Sequence, residues 1–416
     1  MNAVIVAVGS EMLTPFRVDT NSLLITERLN AVGYDVRMKL VVGDGLDDLL
    51  RALTLAIGRA DLVICTGGLG PTEDDLTRDA LATLLGVPLD VDQAILEAIR
   101  ARFVRRGLTM PAINERQAQV PRGAVVLPNT NGTAPGLLAE REGTTIVLLP
   151  GPPREMQPML DALIAARFAA SGAGLFRRVL RITGRSESDV DATTAPVYKA
   201  WAQAPIPIST TILASMGQIE LHLTAIAPER RSADAALDAA VAQLVDVLGL
   251  SVYSIDGRPL EHVVGDLLAE AGWTIAVAES CTGGLLASRI TDVAGSSRYF
   301  LRGVVSYSNE AKTDLLGVPA DLIDVHGAVS EPVALAMARG IRASAGSVVG
   351  VGITGIAGPG GGTAAKPVGT VAVAVVAPGA EHVRTWRFLG SRDLVKFQSA
   401  QAALDLVRRL LLARHA

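Results

Sequence analysis

Cysteine is nearly absent from this 416-residue sequence, with only Cys65 and Cys281, each following a predicted buried strand in a different segment. That count excludes a disulfide-stapled secreted scaffold and a cysteine-rich zinc cluster, and favours reduced thiols. Aromatic residues are scarce at 4%, and no uninterrupted apolar run approaches the length needed to cross a bilayer. Residues 1–8 lack a basic leader region, so a cytoplasmic protein without membrane contact is expected. Positive charge is not in excess either. The formal charge is −4, and basic pairs such as Arg105-Arg106 and Arg177-Arg178 are scattered, which argues against direct nucleic-acid binding. Two phosphate motifs are also missing, the Gly-Lys-Ser/Thr of a P-loop and the Gly-x-Gly-x-x-Gly of a dinucleotide fold.

What is present is glycine, at 41 residues, in a chain that is 49% apolar; this suits an α/β protein with aliphatic cores and many tight strand-to-helix turns. The length predicts two or three domains, with boundaries placed at 1–170, 171–256 and 257–416. In the first segment, apolar runs alternate with helical patterns, as in a parallel sheet covered on both faces. Ligand sites of such sheets lie beyond the carboxyl ends of the strands. The loop Thr66-Gly67-Gly68-Leu69-Gly70-Pro71-Thr72-Glu73-Asp74-Asp75 falls there. Backbone N–H groups at Gly67, Gly68 and Gly70 could cradle a phosphate while Asp74 and Asp75 hold a divalent cation. Equally, the glycines could serve tight turns and the aspartates a helix start.

The middle segment reads as a small α/β connecting module without a catalytic constellation. Pro196 is expected to kink or end its first helix, and His222 reads as a surface residue. In the third segment two strand-to-helix turns carry chemistry. One is Ala278-Glu279-Ser280-Cys281-Thr282-Gly283-Gly284; the other is Tyr307-Ser308-Asn309-Glu310-Ala311-Lys312, with Asn309 expected as N-cap and Tyr307 on the preceding strand. Near the positive end of a helix dipole, Lys312 would favour its neutral amine and could take the proton of a nucleophile. Tyr307 could relay that proton. The N–H groups at Thr282, Gly283 and Gly284, and the glycine-rich stretch that includes Gly355 and Gly358, could hold an oxyanion or a phosphate, with Arg392 near the latter. Capping and packing also account for each residue taken singly, and the residues alone do not choose between Ser280 and Cys281 as nucleophile.

The motifs together resemble the CinA family from end to end. Ala278 to Gly284, Tyr307 to Lys312, His326-Gly327-Ala328-Val329-Ser330-Glu331-Pro332 and Gly355-Ile356-Ala357-Gly358-Pro359 are similar to its C-terminal domain, an amidohydrolase of nicotinamide mononucleotide. The resemblance implies Ser280, Tyr307 and Lys312 as the catalytic set, without a metal, and nicotinate mononucleotide plus ammonia as products. The first segment resembles the molybdopterin-binding fold through the loop from Thr66, through Asn131-Gly132-Thr133-Ala134-Pro135-Gly136 and through Leu149-Pro150-Gly151-Pro152-Pro153. In this family that domain is associated with metal-dependent hydrolysis of ADP-ribose, which implies Asn131 in binding and a divalent cation at Asp74 and Asp75. Pro15 departs from the glycine usual before Asp19-Thr20-Asn21, so a stiffer loop is expected beside that site. The resemblance also implies a homodimer. A nucleotide- or pterin-binding protein acting through partners in competence or the response to DNA damage is the alternative.

Overall fold

The structure is a computed structural model and describes residues 1–168 and 174–414. It forms two compact units, Met1–Phe176 with Ala225–Ala235, and Arg177–Thr224 with Ala236–Ala416. The expected boundary between 170 and 171 lies outside the described residues.

In the first unit the elements are β1 (Asn2–Val8), α1 (Asn21–Ala31), β2 (Asp35–Val42), α2 (Leu46–Ile57), β3 (Leu62–Thr66), α3 (Thr77–Leu85), β4 (Leu89–Val91), α4 (Gln93–Arg105), β5 (Gln119–Pro121), β6 (Val125–Leu127), β7 (Gly136–Arg141), β8 (Thr144–Leu149) and α5 (Pro153–Leu163). Six strands form one sheet in the order β2-β1-β3-β8-β7-β6. The pairs among β2, β1, β3 and β8 are parallel, whereas β7 runs antiparallel to both β8 and β6. The parallel expectation therefore holds only for β2, β1, β3 and β8; β7 and β8 are joined by a two-residue turn, which permits only antiparallel pairing. Successive strand residues face opposite cores. Ala3 and Ile5 pack with Ile25, Leu29, Met156 and Leu160 on one side, while Val4, Val6 and Val8 pack with Leu49, Leu53 and Leu81 on the other.

The middle segment, most of whose residues fall in the second unit, comprises β9 (Gly174–Thr183), α6 (Glu187–Tyr198), β10 (Ile208–Ser215), β11 (Gln218–Ala227), α7 (Arg230–Leu248) and β12 (Val252–Ser254). Its four strands order as β10-β11-β9-β12. Pro196 sits in the last turn of α6, and a 3-10 turn follows it, as the missing N–H and the ring dictate. His222, half-buried, pairs its Nε2 with Glu220 at 3.0 Å.

The remaining elements are α8 (Leu260–Ala271), β13 (Ile275–Glu279), α9 (Leu285–Thr291), β14 (Phe300–Val305), α10 (Asn309–Leu316), α11 (Ala320–His326), α12 (Glu331–Ala345), β15 (Val349–Gly355), β16 (Thr370–Ala377), β17 (Ala380–Arg387) and α13 (Arg392–Ala413). The sheet order is β14-β13-β15-β16-β17, parallel through the first three strands and antiparallel beyond. Ile275 and Val277 pack with residues of α8, α9 and α13, and Ala276 and Ala278 with α12, so this sheet too is covered on both faces. α12 approaches the sheet so closely that a Cβ on Gly350 or Gly352 would stand 2.2 Å from the carbonyl oxygens of Ala338 and Ala334. No helix among the described residues is long and apolar enough to cross a membrane.

Candidate functional site

Three parallel strands, β13, β14 and β15, end at one edge of the C-terminal sheet, and their following turns line a cleft of about 260 Å³. This is the edge where α/β sheets hold ligands. Ser280 and Cys281 come from the first turn, Tyr307, Asn309 and Lys312 from the second, and Gly355 and Gly358 from the third; Arg392 enters from the start of α13.

The Ser280 turn is built by the residue before it. Glu279, 1% exposed at the end of β13, accepts backbone N–H bonds from Gly284 (3.1 Å), Leu286 (3.0 Å) and Ala287 (2.8 Å). The carboxylate thus satisfies donors at the start of α9 that have no partner within the helix, and it sits where the helix dipole favours negative charge. The Ser280 N–H is held by the Ile353 carbonyl at 3.0 Å. The backbone on both sides of the hydroxyl is therefore tied to neighbouring structure.

These bonds correct the expectation of an anion cradle at 282–284. Gly284 spends its N–H on Glu279, Gly283 spends its own on the Ser280 carbonyl at 3.1 Å, and Thr282 is fully buried. None of the three lines the cleft. The reason is that a buried acid beside a helix start competes for the N–H groups that would otherwise meet a ligand.

Lys312 is almost fully buried, and its Nζ lies 3.3 Å from Ser280 Oγ. It also donates to the carbonyls of Ser306 (3.0 Å), Tyr307 (3.3 Å) and Ser308 (3.4 Å). Burial pulls its pKa below that of an ordinary lysine amine, with Cys281 and Glu310 opposing the shift. Burial pushes the Cys281 thiol the other way, up to about 12, so the residue beside Ser280 is a poor thiolate rather than an activated one.

Tyr307 is placed differently from the expectation. β14 ends at Val305, and Tyr307 lies in the loop beyond it with its ring mostly exposed. Its hydroxyl accepts from Arg392 Nη2 at 3.1 Å, and Lys312 meets its backbone carbonyl rather than its phenol. Arg392 also donates to the Gly358 carbonyl at 2.6 Å, tying the glycine-rich loop to the Tyr307 loop. The N-cap of α10 is Ser308, whose hydroxyl accepts from the Ala311 N–H at 3.1 Å, not Asn309.

In the N-terminal unit the turns after β1, β3 and β8 line a second cleft, of about 330 Å³. Gly67, Gly68, Gly70, Asp74 and Asp75 all lie in it, joined by Glu11 of the Gly9-Ser10-Glu11 turn and by Asp44, Gln117 and Glu155, which sequence reading missed. Gly67 has φ +109°, and a Cβ there would stand 2.2 Å from the Val8 carbonyl oxygen, so only glycine fits. Arg78, 1% exposed, props the loop from beneath by donating to the carbonyls of Leu69 (2.8 Å) and Gly70 (3.0 Å). Asn131 lies outside this lining; its side chain donates to the Arg154 carbonyl at 2.9 Å and stabilises its own loop. Pro15 occupies a turn beside an almost fully exposed Phe16 and does not enter the cleft.

The fit to a metal is partial. Asp75 Oδ2 already accepts from the Thr72 N–H (2.8 Å) and hydroxyl (2.5 Å), and among the described residues no three His, Cys, Asp or Glu side chains converge on one point. A cation such as Mg²⁺ is commonly held by one or two carboxylates together with substrate phosphates, and these carboxylates suit that arrangement.

Two family models match the chain, one described as the CinA C-terminal domain over residues 257–411 and the other as a probable molybdopterin binding domain over residues 4–170. A CinA-like protein of Koribacter versatilis is 47% identical over 418 residues, covering 99% of this chain and 100% of the relative. The chain belongs to the CinA family. A putative competence-damage inducible protein of Moorella thermoacetica is 44% identical over 417 residues, with both chains covered in full. Among solved structures, a CinA protein of unknown function from Thermoplasma acidophilum is 36% identical and covers 40% of this chain and 96% of that one, with a TM-score of 0.38. The Koribacter and Moorella relatives span the chain from end to end.

Proposed function

We propose that the C-terminal cleft hydrolyses the carboxamide of nicotinamide mononucleotide to nicotinate mononucleotide and ammonia. The observation that carries the reading is the buried pair of Ser280 Oγ and Lys312 Nζ at 3.3 Å, with burial favouring the neutral amine. A neutral Lys312 reverses the direction of that hydrogen bond, accepting the Ser280 proton as Oγ attacks the carboxamide carbon. The tetrahedral intermediate collapses when the proton passes to the leaving nitrogen, releasing ammonia and leaving an ester on Ser280. Water then adds to the ester, giving its proton to Lys312, and expulsion of Oγ restores the serine. Arg392, joined to Tyr307, stands beside the reacting pair as an orienting cation. Ammonia release from nicotinamide mononucleotide by the full chain, with Ser280→Ala as control, tests the reading. Turnover by the variant at the parent rate would refute it.

For the N-terminal cleft we propose hydrolysis of ADP-ribose, supported by its glycine-lined floor and its carboxylates. Asp74 and Asp75 would hold a divalent cation that neutralises pyrophosphate charge when bound. The chain's own contribution is the loop propped by Arg78, whose backbone N–H groups would meet the phosphates. Cleavage of ADP-ribose with and without a chelator tests this part. Tight nucleotide binding without turnover at either cleft would favour a binding protein instead.

A further inference from the structure

The C-terminal cleft has a charge that the reacting pair does not account for. No Asp or Glu lines it; the buried Glu279 beside Ser280 spends its oxygens on N–H groups at the start of α9, and Glu310 and Asp393 on the bounding helices are exposed. Lys312 and Arg392 both enter it, and Arg392 spends its donors on a carbonyl and a phenol rather than on a carboxylate. One turn further along α13 stands Lys396, on the same helix face as Arg392. It is half-buried, makes neither an ion pair nor a hydrogen bond among the described residues, and holds Nζ 3.9 Å from the point where a Cβ on Gly283 would lie. Its ammonium therefore lies close to the turn that carries Ser280, outside the residues that line the cleft.

Two neighbouring cations on one helix face, neither neutralised by an acid, repel each other unless an anion joins them. We infer that Arg392 and Lys396 seat the phosphate of the substrate at the mouth of the cleft, with Lys396 making the direct charge contact. This rests on the mononucleotide reading above and makes Lys396 the residue that distinguishes a nucleotide from its nucleoside. The arrangement places the two ends of the substrate apart: the carboxamide at Ser280 on the floor, the phosphate at the rim. A lysine suits the rim because its ammonium acts as a mobile point charge, whereas the planar Arg392 fork is already committed to Gly358 and Tyr307.

The test compares nicotinamide mononucleotide with nicotinamide riboside, which has the same carboxamide and no phosphate, on the full chain. Lys396→Gln should raise KM for the mononucleotide about tenfold with kcat little changed, leave KM for the riboside as it is, and Lys396→Arg should recover most of the loss. A rise shared equally by both substrates would show a structural role and overturn the inference, as would no rise at all. If the parent releases ammonia from neither substrate, the deamidase reading has failed by itself. Calorimetric binding of nicotinamide mononucleotide to Ser280→Ala protein, with and without Lys396→Gln, then still reads the anion contact: about tenfold weaker binding supports it, and equal affinity overturns it.

Discussion

At the scale of single residues, motif spelling leaves open which of two adjacent side chains is the nucleophile, and burial shifts the two in ways that favour the proposed Ser280. Cys281 sits in apolar surroundings that push its thiol pKa up to about 12, while Ser280 meets a lysine whose amine pKa burial lowers. Cys281→Ala should therefore keep ammonia release within about threefold of the parent, since it removes only a packed side chain, whereas a thiol nucleophile would lose it altogether. Lys312 also sets a pH dependence. Its neutral form is the base, so kcat/KM should rise with pH through a midpoint below that of a free lysine amine; a profile flat between about pH 6 and 10 would contradict this role. The same shift acts on stability. In the folded chain the amine binds its proton less tightly than in the unfolded chain, so below the lowered pKa its burial opposes folding, and that cost fades as pH rises toward the free-amine value. Thermal midpoints of Lys312→Met relative to the parent should thus be most favourable at acidic pH and decline as pH increases. The residue types were legible in the sequence. The partners were not, because a hydroxyl bonded to Arg392 and a phenol exposed in a loop leave no trace in periodicity.

At the scale of elements, the turns depend on buried charges that spacing does not reveal. Glu279 reads as one more residue at a strand end, yet it closes the β13–α9 turn with three N–H bonds, and Arg78 does the equivalent beneath the glycine loop after β3. Glu279→Ala strands those donors and should lower stability by about 2–4 kcal/mol, read as a shift in the urea midpoint at unchanged slope. A change of less than about 0.5 kcal/mol would show that the turn holds itself. Strand and helix existence was legible from apolar runs and from caps: Gly272 ends α8 in the left-handed region, and Ser391 caps α13. Ends were less so. The run leading to Tyr307 looks strand-like beyond Val305, but sheet pairing stops where the chain turns to start α10, and the smaller Ser308 takes the cap from Asn309.

At the scale of the whole molecule, two sheets each carry a cleft at the carboxyl edge of their parallel strands, and the clefts differ in sign. The N-terminal one is lined by Glu11, Asp44, Asp74, Asp75 and Glu155, the C-terminal one by the cation Arg392 and the Lys312 amine, without an acid. An acid-lined cleft needs a cation to accept phosphates; a basic one binds an anion directly. A chelator should accordingly abolish ADP-ribose cleavage and leave ammonia release untouched in the same sample, and loss of both activities would show that the C-terminal site also depends on a metal. The α/β class and the positions of both clefts were legible from glycine-rich turns after apolar runs. The antiparallel edge at β16 was not, since that strand is as apolar as β15 beside it. The central claim is that Ser280, activated by Lys312, opens a carboxamide. Single-turnover mass spectrometry of the full chain with nicotinamide mononucleotide tests it most directly. The account predicts a nicotinate mononucleotide ester on Ser280 in the parent and none in Ser280→Ala, while the same adduct on Cys281, or ammonia release without any adduct on Ser280, would contradict it.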